Sequence, residues 1–278
     1  MHLEHMGRDL LTIAVYIVMP GLAGIMFISL AKFVKHIAPL RALVASPETY
    51  RAAFWGFLVF GLYFGLRIVQ VFAGPHPWPL VISTLREFLL MAGFAPACFI
   101  GMMTLCLGPE RIGKGWVFAL FGASFAMAVL YCGLNAKAIG GSEEIVRLGR
   151  MTAYDGLWSK SGREGVEGLM RTLAILRLIN PAFLLIAGAT AVILHARNYP
   201  AAKRRIYDNM PRKLILLGTA VYAYAFSIVV GSVVYGIRSV PDQWWLYHLA
   251  SLGAGLLETI SLAMPVRSDV EVSEHEET

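Results

Sequence analysis

Five ionisable side chains lie inside long apolar runs: Arg67, Arg86, Glu87, Arg177 and Glu258. A charge at lipid depth costs about 2.5–3.5 kcal/mol even on the gentlest scale, so such residues mark ion pairs, wet cavities or ligand sites. Arg67 lies seven residues from the outer end of its run. Arg86 and Glu87 lie a similar distance into the next run, and Arg177 about eight residues into a later one. At about 1.5 Å per residue, all four fall about 10–12 Å below one membrane surface. Together they make a belt of three positive charges against one negative. Such a surplus in low dielectric calls for a bound anion, a water-filled vestibule or backbone carbonyls. The chemistry that suits it is recognition of an acidic small molecule or a lipid phosphate by guanidinium forks, with Glu87 orienting one arginine. The alternative is that Glu87 pairs with one arginine while the others snorkel to headgroups, which their reach allows. Glu258 lies about 15 residues into the last run, in the opposite half, with no obvious basic residue at its depth. A carboxyl there is a candidate proton-coupling group.

Other chemistry is missing from the sequence. No histidine pair at helical spacing suits haem, and no Glu-x-x-His pattern suits a di-iron site. There is no phosphate-binding glycine loop, nucleophile elbow or HExxH run. The last run has no lysine for a retinal Schiff base. No catalytic residue, metal ligand or cofactor is therefore assigned, and an enzymatic reading is the weaker one. Cys98, Cys106 and Cys132 lie in apolar runs without zinc or redox spacing and read as small buried hydrophobes. His248, beside Tyr247 and Trp245, reads as part of an interfacial aromatic belt. Tyr63, Tyr222, Tyr224 and Tyr235 either pack or line a polar path. Gly61 and Gly65 form a small-xxx-small pair suited to close helix approach.

The elements that position these groups follow from composition. Of the 278 residues, 57% are apolar and 15% charged, and the mean hydropathy is +0.63. That excludes a soluble enzyme, a disordered linker and a disulfide-stapled secreted fold. A bilayer core about 30 Å thick needs about 20 apolar residues per helix. Seven runs qualify, at about 10–32, 52–74, 79–107, 115–135, 169–195, 213–237 and 243–265. Lipid demands internally satisfied backbone, so all seven are expected to be helices of an all-α membrane bundle. Residues 1–266 form this single domain, and 267–278 form an acidic tail. The connection at 136–168 is expected to carry an amphipathic surface helix over about 143–158, capped by Ser142 and anchored by Trp158.

Thirteen basic residues flank one side of the segments and seven the other. The positive-inside rule then puts the N-terminus outside and the C-terminus in the cytoplasm; a bacterial inner (plasma) membrane is the expected location, although no targeting motif distinguishes it. The net charge of +6 reads as topology and attraction to lipid headgroups, not as a nucleic-acid footprint. The tail reads as a solvated segment, with docking on the basic fifth connection (Arg197 to Lys213) as the alternative.

Segments 1–3 and 5–7 share a plan of helix, basic loop, helix, short outer loop, helix. Pro20 and Pro39 are 19 residues apart, as are Pro181 and Pro200, and His36 and His195 sit at equivalent ends. The outer turns read Pro75-His76-Pro77-Trp78 and Pro241-Asp242-Gln243-Trp244. This three-plus-one-plus-three layout with parallel repeats is similar to that of SWEET-type sugar carriers. Those carry a proline in both of the first two helices of each half. Pro20 and Pro181 match one such pair, while segments 2 and 6 have no proline, so membership is not assigned. The resulting expectation is a membrane protein that binds and transports a small anionic or polar solute through an outward-facing site of Arg67, Arg86, Glu87 and Arg177. The rivals are a sensor or accessory subunit of a larger complex, docking through its basic loop and acidic tail, and an enzyme acting on a lipid headgroup.

Overall fold

The computed structural model describes residues 13–36, 45–73, 77–139, 144–148, 151–155, 167–201, 203, 207, 209–233 and 245–264. Helix α1 (Met19–His36) follows a π-helical turn at Ala14–Val18, and α2 spans Pro47–Phe72. Helix α3 runs from Trp78–Phe88 through a π-helical segment at Leu89–Phe94 into Ala95–Leu107, and α4 spans Lys114–Ile139. Helix α5 runs from Glu167–Arg177, is interrupted within Leu178–Ala182 where Asn180 is extended (φ -149°, ψ 115°) before the cis Pro181, and resumes as Phe183–Arg197. Helices α6 (Met210–Gly231) and α7 (Trp245–Ala263) complete the described set. The first six contain spans long and apolar enough to cross a bilayer, and α7 contributes a shorter apolar stretch, Leu249–Ala263. The chain is a polytopic helical membrane protein.

Several helices outrun the apolar segments that announce them. α1 continues to His36 rather than ending near 32, α4 reaches Ile139, and α2 starts at Pro47 rather than near 52. Apolar length measures the hydrocarbon crossing, whereas hydrogen bonding continues into the interface until a cap ends it. At α2 the Ser46 side chain accepts from the Thr49 amide at 3.3 Å, Pro47 takes the first turn, and Glu48 follows it.

The connection after α4 also departs from expectation. Strand β1 (Glu144–Leu148) pairs antiparallel with β2 (Met151–Asp155), so the described part of 143–158 is a strand pair rather than the expected amphipathic helix. Ile145 pairs with Tyr154 and Leu148 with Met151, leaving Gly149 and Arg150 between the strands in sequence. β-Branched and aromatic residues favour paired strands, and that outweighed an approximate helical spacing. β2 packs against α2. Trp158, Tyr235, Arg204, Arg205, the turn at 241–244 and the tail at 267–278 lie outside the described residues.

The principal helix contacts run α1–α2, α2–α3, α3–α5, α5–α6, α6–α7 and α7–α1, a closed ring of six. Helix α4 packs on α3 and α5 from outside it and exposes Trp116, Phe118, Phe125 and Leu130. Close approach explains part of this packing. A Cβ on Gly61 would lie 2.7 Å from Ile28 Cγ1 and 3.2 Å from the Gly24 carbonyl, so the α1–α2 contact needs glycine there. At the other end of α7, the Lys213 ammonium of α6 donates to the Met264 carbonyl at 3.1 Å and the Leu262 carbonyl at 3.4 Å. A cation on these terminal carbonyls complements the helix dipole and holds that end in place.

The ring's centre is aromatic. Phe60 stacks on Phe94 with centroids 4.0 Å apart. It also meets Phe27 at 4.5 Å and the Tyr224 ring at 4.7 Å. These rings come from α1, α2, α3 and α6 and are buried. They form a layer across the bundle, with the arginines on one side and Glu258 on the other.

Candidate functional site

Helix α2 places Tyr63, Arg67 and Gln70 at i, i+4 and i+7, on one face. That face meets Arg86 from α3. Arg86 donates from Nε to the Tyr63 carbonyl at 3.1 Å and from Nη1 to Gln70 Oε1 at 2.8 Å. Arg67 Nη1 donates to the same Gln70 oxygen at 3.2 Å. Each guanidinium also lies over a ring: Arg86 over Tyr63 at 4.6 Å, and Arg67 over Tyr16 of the first helix at 4.9 Å. Arg67 is 5% exposed and Arg86 6%. Snorkelling to headgroups is therefore not their arrangement.

Glu87 follows Arg86 in sequence, and one residue of helical rotation turns it toward α5. Arg177 donates to both carboxylate oxygens: Nε to Oε2 at 3.2 Å, and Nη2 to Oε1. This is the fork-on-fork geometry that makes Arg–carboxylate pairs strong. Tyr131 of α4 lies beside the pair, with its ring 5.7 Å from the guanidinium carbon. Asn180, just past Arg177, donates to the Met91 carbonyl at 3.3 Å, tying α5 to the π-helical part of α3.

Arg67, Arg86, Glu87 and Arg177 thus gather around α3 as two clusters. Arg67 and Arg86 meet at Gln70 between α2 and α3, while Glu87 and Arg177 pair between α3 and α5. Gln70, Tyr16 and Tyr131 were not singled out from sequence, although the i, i+3 relation of Gln70 to Arg67 was a usable signal. Tyr63 was named and lies within the first cluster. Glu258 stands apart, beyond the aromatic layer. It lines a half-open cleft of about 70 Å³ with Thr49, Phe57, Phe94, Cys98 and Val221 among its walls. Among the described residues, no group of three or more His, Cys, Asp or Glu side chains could hold a metal ion. The chain matches none of the protein-family models and none of the curated proteins with which it was compared.

Proposed function

We propose that this protein binds a small solute bearing an oxyanion or similarly polar group at the Arg67–Gln70–Arg86 cluster and carries it across a bacterial inner membrane. The supporting observation is the meeting of two buried guanidinium groups, from different helices, at one neutral amide oxygen. Gln70, a neutral amide, orients both guanidinium groups toward one point. An oxyanion complements such a pair of planar donors. The Glu87–Arg177 pair braces α3 against α5 and so holds Arg86 in register. In this reading the N-terminus is outside, the arginine clusters face outward, and the cleft faces the cytoplasm. The aromatic layer separates the two ends, as alternating access requires. Glu258 is the proposed proton-coupling carboxyl, reached through the cleft. The ring order also fits the three-plus-one-plus-three plan: a two-fold relation carrying α1, α2 and α3 onto α5, α6 and α7 maps each ring contact onto another.

The test is a thermal-shift series on the purified protein with phosphate, succinate and glutamate, followed by uptake in proteoliposomes. A ligand of the folded state raises apparent stability by mass action. Arg67→Gln and Arg86→Gln are each expected to lower affinity for a stabilising anion at least tenfold while the protein still inserts. Retention of full affinity by both variants would defeat the proposal.

A further inference from the structure

Among the described residues the apolar interior is divided into two cores. The larger contains the aromatic layer and draws on α1, α2, α6, α7 and the second halves of α3 and α5. The smaller is built from Met91, Ala128, Tyr131, Met170 and Leu173 and takes nothing from α1, α2, α6 or α7. Its walls are α4 and the first halves of the interrupted helices, Trp78–Phe88 of α3 and Glu167–Arg177 of α5. The cores part at neighbouring residues of α3: Leu90 and Phe94 belong to the larger, and Met91 to the smaller.

This division falls where both helices are interrupted. The Ala95 amide of α3 reaches back five residues to the Leu90 carbonyl, as the Phe183 amide of α5 does to Leu178. Within the second interruption Asn180 leaves helical geometry. Helices bend at such breaks. The two breaks touch and are joined by the Asn180–Met91 hydrogen bond. The Glu87–Arg177 fork fastens the two first halves together. Cys132 of α4 donates to the Thr84 carbonyl of α3 at 3.4 Å, adding α4 to the same unit. Among the described residues of Trp78–Phe88, the buried ones are Arg86, which meets α2, and Glu87, which meets α5. The grip of this unit on α2 is thus polar and centred on Arg86. At its other end, α4 stacks Trp116 on Phe99 of the second half of α3, with centroids 6.1 Å apart.

We propose that α4 and the first halves of α3 and α5 swing as one arm about Leu89–Phe94 and Leu178–Ala182, with the Arg86–Gln70 contact as its latch. Close-packed cores move as units, and hinges are the few residues between them. Each half-helix has 11 residues. That is about 16 Å, so a turn of about 15° carries its free end about 4 Å. Arg86 lies close to the pivot at Leu89 and moves by about 1–1.5 Å in the same turn. Such a shift parts a guanidinium from an oxygen now 2.8 Å away. Opening the arm therefore separates Arg86 from Arg67, and an anion held between the two draws it shut. This deepens the transport reading and rests on it for the purpose of the movement; the arm itself rests on the packing.

The experiment places pairs of spin labels on the full chain in detergent micelles, with Cys98, Cys106 and Cys132 replaced by serine, and reads their separation by double electron–electron resonance. Val81 of α3 with Leu130 of α4 lies within the arm. Val69 of α2 with Phe226 of α6 lies within the rest of the ring, and Val81 with Phe226 spans the two. All four side chains are exposed, so labels leave the cores intact. The first two pairs are expected to give one distance each and the spanning pair two. Arg86→Gln removes the latch and should raise the relative population of the longer distance about tenfold, the scale of charge-assisted hydrogen bonds. Gln70→Ala, which removes the acceptor, should act in the same direction and serves if Arg86→Gln does not fold. The same single distance for the spanning pair in the parent and the variants would overturn the inference, as would two distances within the arm. Two distances that phosphate, succinate and glutamate all leave unchanged would uphold the arm and count against the anion site.

Discussion

At the scale of single residues, the decisive groups are those joining charges that the sequence lists separately. Arg67, Arg86, Glu87 and Arg177 stand out in sequence because a charge in an apolar run has few innocuous explanations. Their partners do not stand out, because pairing depends on helix rotation. Glu87 lies next to Arg86 in the chain yet forks with Arg177 on another helix. Gln70, uncharged and unremarkable in the sequence, is where Arg67 and Arg86 meet. The Glu87–Arg177 pair gives a quantitative expectation. Its side chains are 10% and 14% exposed, so removing one partner strands a largely buried charge. Glu87→Gln or Arg177→Gln alone should cost about 3 kcal/mol. The double variant should cost less than the two together, with a coupling of about 1–3 kcal/mol. Unfolding of the four proteins in mixed micelles measures this cycle. Simple additivity would show that the pair is not energetically joined.

At the scale of elements, apolar length marked the six described helices that are long enough to cross a bilayer, but not where each begins or ends. Caps such as Ser46 and the interfacial turns of α1 and α4 continue past the hydrocarbon boundary, where hydropathy carries no information. The strand pair β1–β2 is hard to read from sequence for a related reason. Its apolar residues satisfy two periodicities loosely, and the β-branched Ile145, Val146 and Thr152 tip the balance. The Gly61–Gly65 pair was legible as a motif, but its two members differ in the structure. A Cβ on Gly61 would press on Ile28 and approach the Gly24 carbonyl, whereas one on Gly65 would meet nothing within 4 Å. Gly61→Ala is therefore expected to cost about 1–3 kcal/mol through overpacking. Gly65→Ala should stay within about 0.5 kcal/mol of the parent. Equal effects at the two positions, measured by thermal unfolding, would mean that α1 and α2 do not approach as described.

At the scale of the whole molecule, the order of helices around the bundle was the least accessible feature, because hydropathy says nothing about neighbours. Matching loops suggested two halves but could not say how they join. In the structure, α3 meets α5 and α7 returns to α1, while α4 stands outside the ring. The closing contact is specific: a Cβ on Gly255 of α7 would lie 2.9 Å from Met26 Sδ and 3.1 Å from Phe27 Cζ on α1. Ring closure matters for function, since it confines the arginine cluster, the aromatic layer and the Glu258 cleft to one interior. A strip of helices open between α7 and α1 would leave Glu258 facing lipid, where the proposed proton path could not be maintained. The test begins by replacing Cys98, Cys106 and Cys132 with serine. Adding Met26→Cys with Gly255→Cys should then give a disulfide on mild oxidation, visible as altered gel migration. Pairing Gly255→Cys with Val129→Cys, on the lipid-facing side of α4, should not. Equal crosslinking of both pairs, or none of the first, would open the ring and remove the shared interior on which the proposed transport depends.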